Sequence, residues 1–83
     1  MPHIIVKLWS GKDEVKKQKL AEGIKQLTVE ILGTPESSIS VAFEEFSPEE
    51  WPLLVYGPDI LDKEDTLYVK PGYLPEIFKK NND

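Results

Sequence analysis

The chain has 83 residues, 15 acidic against 10 basic, with no cysteine and one histidine. That length supports one domain, spanning 1–83. The formal charge of −5 argues against nucleic acid as a partner, and the missing thiols and single imidazole exclude cysteine catalysis and argue against a zinc centre, so no metal is expected.

No segment approaches the roughly 20 apolar residues of a membrane span, and MPHIIVKLWS lacks the basic and apolar regions of a signal peptide. A cytoplasmic address with no membrane partner is the expectation. A domain this short buries a modest share of its surface, so association with further copies is the available way to bury more.

His3 to Trp9 reads as a strand, with Ile4, Val6 and Leu8 alternating against His3, Ile5, Lys7 and Trp9. Ser10-Gly11 breaks it, and Asp13 is placed to cap a helix whose first turn carries Glu14. Leu20, Ile24, Leu27 and Ile31 then fall on one helical stripe, with Lys16, Lys17, Lys19, Glu22, Lys25 and Glu30 expected to face water. Gly33 supplies the carboxyl-terminal cap and Pro35 stops the helix.

Ser37 to Phe46 contains a second strand, in which Ile39, Val41 and Phe43 oppose Ser40, Ala42 and Glu44. Strand, helix, strand is a βαβ unit with parallel strands and a right-handed connection. Ser47-Pro48-Glu49-Glu50 is a capping box that announces a short helix carrying Trp51, Leu53 and Leu54. Gly57-Pro58-Asp59 reads as a turn, Thr66 to Val69 as a third strand or an extended arm, and Lys70-Pro71-Gly72-Tyr73 as another turn. The polar run from Lys79 to Asp83 is expected to fray.

Glu44-Glu45 and Glu49-Glu50 are neighbours that point apart, so solvated surface accounts for them. Pro2 is the exception. If Met1 is removed, Pro2 becomes a secondary amine with an ordinary pKa near 8, which an apolar pocket lowers towards neutrality and so towards the range of an efficient base. By itself, Met-Pro is a common chain start without meaning.

Pro2 opening an apolar strand, Gly11-Lys12 ahead of a long helix, and a second strand after Gly33-x-Pro35 together resemble the 4-oxalocrotonate tautomerase family of the tautomerase superfamily. Trp51 and the Lys70-Pro71-Gly72-Tyr73 element resemble its longer, dimeric branch. The resemblance implies a βαβ tautomerase fold of the α/β (α+β) class. It comprises a two-stranded parallel sheet, one long helix, a short second helix and a carboxyl-terminal strand or arm, with the sheet completed in a homodimer.

The resemblance also implies roles. Pro2 matches the general base of a cofactor-free keto–enol tautomerase. Lys12 stands where an arginine often follows the glycine, keeping the charge without the bidentate fork. Ser40 stands where short members carry an arginine that binds a substrate carboxylate, which turns the expectation from dicarboxylates to 2-oxo or enol acids with aromatic or apolar tails, such as phenylenolpyruvate. Trp51 matches the aromatic wall, with Leu54 and Tyr73 beside it as further substrate contacts.

Taken singly, Lys12 is a solvated loop lysine, Trp51 an anchor, Tyr68 and Tyr73 core or interface aromatics, and His3 a strand-surface residue. Two other functions fit the same chain. One is a proline-dependent hydratase or dehalogenase; the other is a catalytically silent homo-oligomeric binding or scaffold protein.

Overall fold

A computed structural model of the chain describes residues 1–79. The chain divides into two compact units, Met1–Phe46 and Ser47–Asp83. Beyond Lys79, the tail expected to fray lies outside the described residues.

In the first unit, strand β1 (His3–Trp9), helix α1 (Glu14–Leu32) and strand β2 (Ser40–Phe46) form the expected βαβ motif. The strands pair in parallel from His3 opposite Ser40 to Trp9 opposite Phe46. A parallel pair needs a crossover, and α1 supplies it. The ladder extends past both ends, through the Ser40 N–H to the Pro2 carbonyl at 3.2 Å and the Ser10 N–H to the Phe46 carbonyl at 2.9 Å.

Both ends of α1 follow from single residues. The Asp13 carboxylate accepts from the Val15 N–H at 2.9 Å, satisfying a donor that the first turn leaves unpaired. Gly33 adopts a left-handed φ of 69° and its N–H reaches the Val29 carbonyl, closing the helix. Pro35, extended at φ −62°, precedes a single 3₁₀ turn over Glu36–Ser38 that leads into β2.

The packed face of α1 differs from the predicted stripe. Lys17, Ala21, Ile24, Lys25, Thr28 and Val29 are half-buried, whereas Leu20, Leu27 and Ile31 remain 47%, 56% and 75% exposed. A two-stranded sheet is narrower than the stripe, so only part of it finds a floor. Leu20 borders Leu8 and Lys12 along the β1 side, with Leu27 seven residues on along the same flank.

Two of the lysines expected in solvent belong to the packed side. Lys17 reaches Glu14 at 2.8 Å and Glu45 at 3.1 Å, and Lys25 reaches Glu22 and Glu36. Their stems lie along the apolar surface while the ammonium groups reach the carboxylates. Hydrogen bonds donated to Glu14 and then Glu45 hold the Lys17 ammonium above the ordinary lysine pKa, and those donated to Glu36 and then Glu22 do the same for Lys25.

The sheet face away from α1 carries His3, Ile5, Lys7 and Trp9 beside Ser40, Ala42, Glu44 and Phe46. Lys7 approaches Glu44 at 3.9 Å and lies 5.9 Å from the centre of the Phe46 ring. Ile5 and Trp9 are about half exposed.

The second unit opens with the capping box. The Ser47 N–H donates to Glu50 Oε1 at 2.8 Å and the Glu50 N–H donates to Ser47 Oγ at 3.1 Å. The helix that follows is a π-helix over Pro52–Leu61. It runs through Gly57-Pro58-Asp59, where a turn was predicted. A proline interrupts an α-helix because it lacks an N–H and crowds the carbonyl four residues back. The wider π turn changes that spacing, as in the Asp62 N–H that reaches five residues back to the Gly57 carbonyl at 3.0 Å.

Beyond it, Thr66–Val69 makes no strand. Thr66 ends a 3₁₀ turn over Glu64–Thr66, and Tyr68 and Val69 are exposed, so the arm is the reading that holds. Among the described residues, no helix is long and apolar enough to cross a membrane.

Replacing Asp13 with alanine removes the α1 cap and should cost about 1 kcal/mol. In a domain of this size that lowers the thermal midpoint by about 4–8 °C, measurable by circular dichroism.

Candidate active site

Pro2 sits immediately before β1 and is half-buried. Its carbonyl is held by the Ser40 N–H, so the start of the chain is tied to the start of β2. The Ser40 side chain makes a second tie: Ser40 Oγ lies 2.6 Å from Nδ1 of His3. Pro2, His3 and Ser40 therefore form one cluster at the amino-terminal end of the parallel pair, on strand backbone whose register is set by the ladder. Met1 precedes the cluster and is fully exposed.

Lys12 is not part of it. It follows β1 and lines a shallow groove of about 210 Å³ with Leu8, Lys16, Lys17 and Leu20. Seven strand residues at roughly 3.3 Å each separate the two ends of β1, about 20 Å in all. Within one chain, Pro2 and Ser40 come together while Lys12 stands at the opposite end.

Trp51, Leu54 and Tyr73 belong to the second unit, which has its own aromatic centre. The indole N–H of Trp51 donates to the Tyr73 hydroxyl at 2.8 Å. The Tyr56 hydroxyl donates to the Tyr73 carbonyl at 2.6 Å, and the Tyr56 and Tyr73 rings meet edge-on at 5.2 Å. Phe78 stacks on Tyr56, with ring centres 5.9 Å apart.

Gly57 makes room for that stack, since a Cβ there would lie 3.3 Å from both the Phe78 ring and the Pro52 carbonyl. Val55 and Tyr56 are the buried core of this unit, at 3% and 4% exposure. Leu54 is half exposed beside them.

Trp51 and Tyr73 are thus brought together by a direct hydrogen bond, with Leu54 on the same helix as the core residues. Tyr56, which orients Tyr73, was not singled out from the sequence. The run PLLVYGPDIL is apolar almost throughout and offers no period from which an inward residue could be chosen. His3 was read as a strand-surface residue; its link to Ser40 spans 37 positions and emerges only from the register.

Residues 2–57 match the family model described as tautomerase enzyme. The chain belongs to the tautomerase family. A probable tautomerase of Xylella fastidiosa is 41% identical to this tautomerase over 73 residues, covering 88% of this chain and 89% of the relative. The tautomerase PptA of Cronobacter sakazakii is 42% identical over 74 residues, covering 88% of this chain and 97% of its own.

Among solved structures, TomN, a 4-oxalocrotonate tautomerase homologue in the tomaymycin biosynthetic pathway, superposes with a TM-score of 0.59 at 36% identity. That match covers 60% of this chain and 77% of TomN. The tautomerase is an isomerase of the 4-oxalocrotonate tautomerase family with that family's fold.

Replacing Tyr73 with phenylalanine removes the acceptor of the Trp51 indole N–H. In a Trp9→Phe background, where Trp51 is the remaining tryptophan, the emission spectrum should change and stability should fall by about 1 kcal/mol. Steady-state fluorescence with a denaturant titration checks both.

Proposed function

We propose that this tautomerase interconverts the keto and enol forms of 2-oxo acids with aromatic or apolar tails, compounds like phenylenolpyruvate, without a cofactor. Removal of Met1 frees the Pro2 amine, which acts as the general base. The neutral amine takes the enol proton and returns it to the adjacent carbon, so the proton is moved and no net charge is created. The observation that carries this reading is Pro2 itself: the first residue of the family match, tethered through its carbonyl to Ser40. The full exposure of Met1 leaves the preceding bond accessible to processing.

Trp51, Leu54 and Tyr73 are assigned to the apolar tail of the substrate. An aromatic face suits an aryl ring, and low-polarity side chains suit an apolar tail. Ser40 and Lys12 are assigned to the carboxylate or the developing enolate oxygen. With Lys12 a strand length from Pro2 of its own chain, its share of that task requires a second copy.

A homodimer is the assembly we propose. The outer edge of β1 runs beside the exposed Leu20 and Leu27 flank of α1, so a second copy pairing there covers polar edge and apolar helix together. The result is a four-stranded sheet with two helices on one side. A cytoplasmic address completes the reading, in keeping with a chain free of cysteine.

Phenylenolpyruvate ketonisation, followed by absorbance, should be present in protein whose intact mass shows Met1 removed and should disappear in Pro2→Ala. Processed wild-type protein without turnover would overturn the base assignment. Light scattering should give twice the chain mass, and Leu27→Glu should shift the molecule towards the monomer.

A further inference from the structure

Proton transfer at Pro2 requires that the substrate carboxylate be held close by. In the first unit, the cationic side chains along the strands are already distant or engaged. Lys12 is a strand length away. Lys7, four residues and about 13 Å along the same face as His3, is directed to Glu44 and the Phe46 ring. The polar side chains that do stand at the Pro2 end are His3 and Ser40, 2.6 Å apart.

Their contact admits two arrangements of the proton: the serine hydroxyl donates to a bare Nδ1, or Nδ1–H donates to the serine oxygen. An imidazole that accepts at Nδ1 carries its own proton on Nε2, and an imidazolium carries one there as well. In either of those two states the ring carries an N–H on its other edge. His3 and Ser40 are both exposed on the face away from α1, so a ligand can reach them.

Resting on the tautomerase reading above, we propose that His3 binds the substrate carboxylate through Nε2–H, and that Ser40 is the positioning residue that sets its tautomer and ring orientation. Ser40 then serves the site twice: its backbone N–H fixes the Pro2 carbonyl and its hydroxyl fixes His3. The ligand class is a monocarboxylate, because one N–H donor next to a serine provides for one anionic group. Selectivity for a single carboxylate follows from that arrangement.

The test separates binding from proton transfer by using a saturated 3-arylpropanoate and the matching 3-aryl alcohol, neither of which can tautomerise. Calorimetry on processed, full-length protein should show the carboxylate bound about tenfold more tightly than the alcohol. His3→Asn, which keeps a nitrogen near the Nδ1 position only, should abolish that preference. His3→Gln, whose amide reaches the Nε2 position, should retain it.

Ser40→Ala should weaken the preference and Ser40→Thr should restore it. Nitrogen-15 spectra of His3 should show the proton on Nε2. An unchanged preference in His3→Asn, or a neutral ring protonated on Nδ1 with Nε2 bare, overturns the assignment. Pro2→Ala should lose turnover yet keep the preference. Inactive wild-type protein would therefore count against the base, whereas an indifferent His3 variant would count against this subsite alone.

Discussion

The parallel pairing of β1 with β2 is the constraint on which the first unit rests. Parallel strands cannot be joined by a tight turn, so the chain between them has to travel the length of the sheet and return, and α1 with its two caps is the shortest regular way to do so. The same pairing sets the chemistry at one end of the ladder. Once His3 stands opposite Ser40, the Ser40 N–H has Pro2 within reach and its hydroxyl has the imidazole. Moving β2 by one residue would replace Ser40 with Ile39 or Val41 at that position and turn the serine to the other face.

Much of this was legible in the residues. The alternation in His3–Trp9, the Asp13 cap, Gly33 and the Ser47–Glu50 box are local signals, each needing only a few neighbours, and the last three each name a hydrogen bond that the structure contains. The packed face of α1 was legible only in part. Leu20, Ile24, Leu27 and Ile31 mark one stripe, whereas the first unit lays only two strands beneath it and leaves Leu20, Leu27 and Ile31 exposed.

The second unit was harder to read because its order comes from a backbone state without a sequence rule. Gly57-Pro58 ends an α-helix in every local reading, and the π-helix continues through it. The Tyr56–Tyr73 and Trp51–Tyr73 contacts join residues 17 and 22 positions apart, across an arm of no regular period. For the site, Pro2 and Ser40 were named from the resemblance and do meet in space. The contact of His3 with Ser40 depended on a register that alternation alone leaves open by whole pairs of residues.

The capping box at Ser47–Glu50 has a wider consequence. It begins one residue after β2 ends, and both of its hydrogen bonds are made within four residues. The helical segment thus carries its own starting signal and borrows none from the ladder. A boundary of that kind permits modular evolution: the carboxyl-terminal part of such a chain can be lengthened, exchanged or recombined while the strand pair that holds Pro2 is inherited intact.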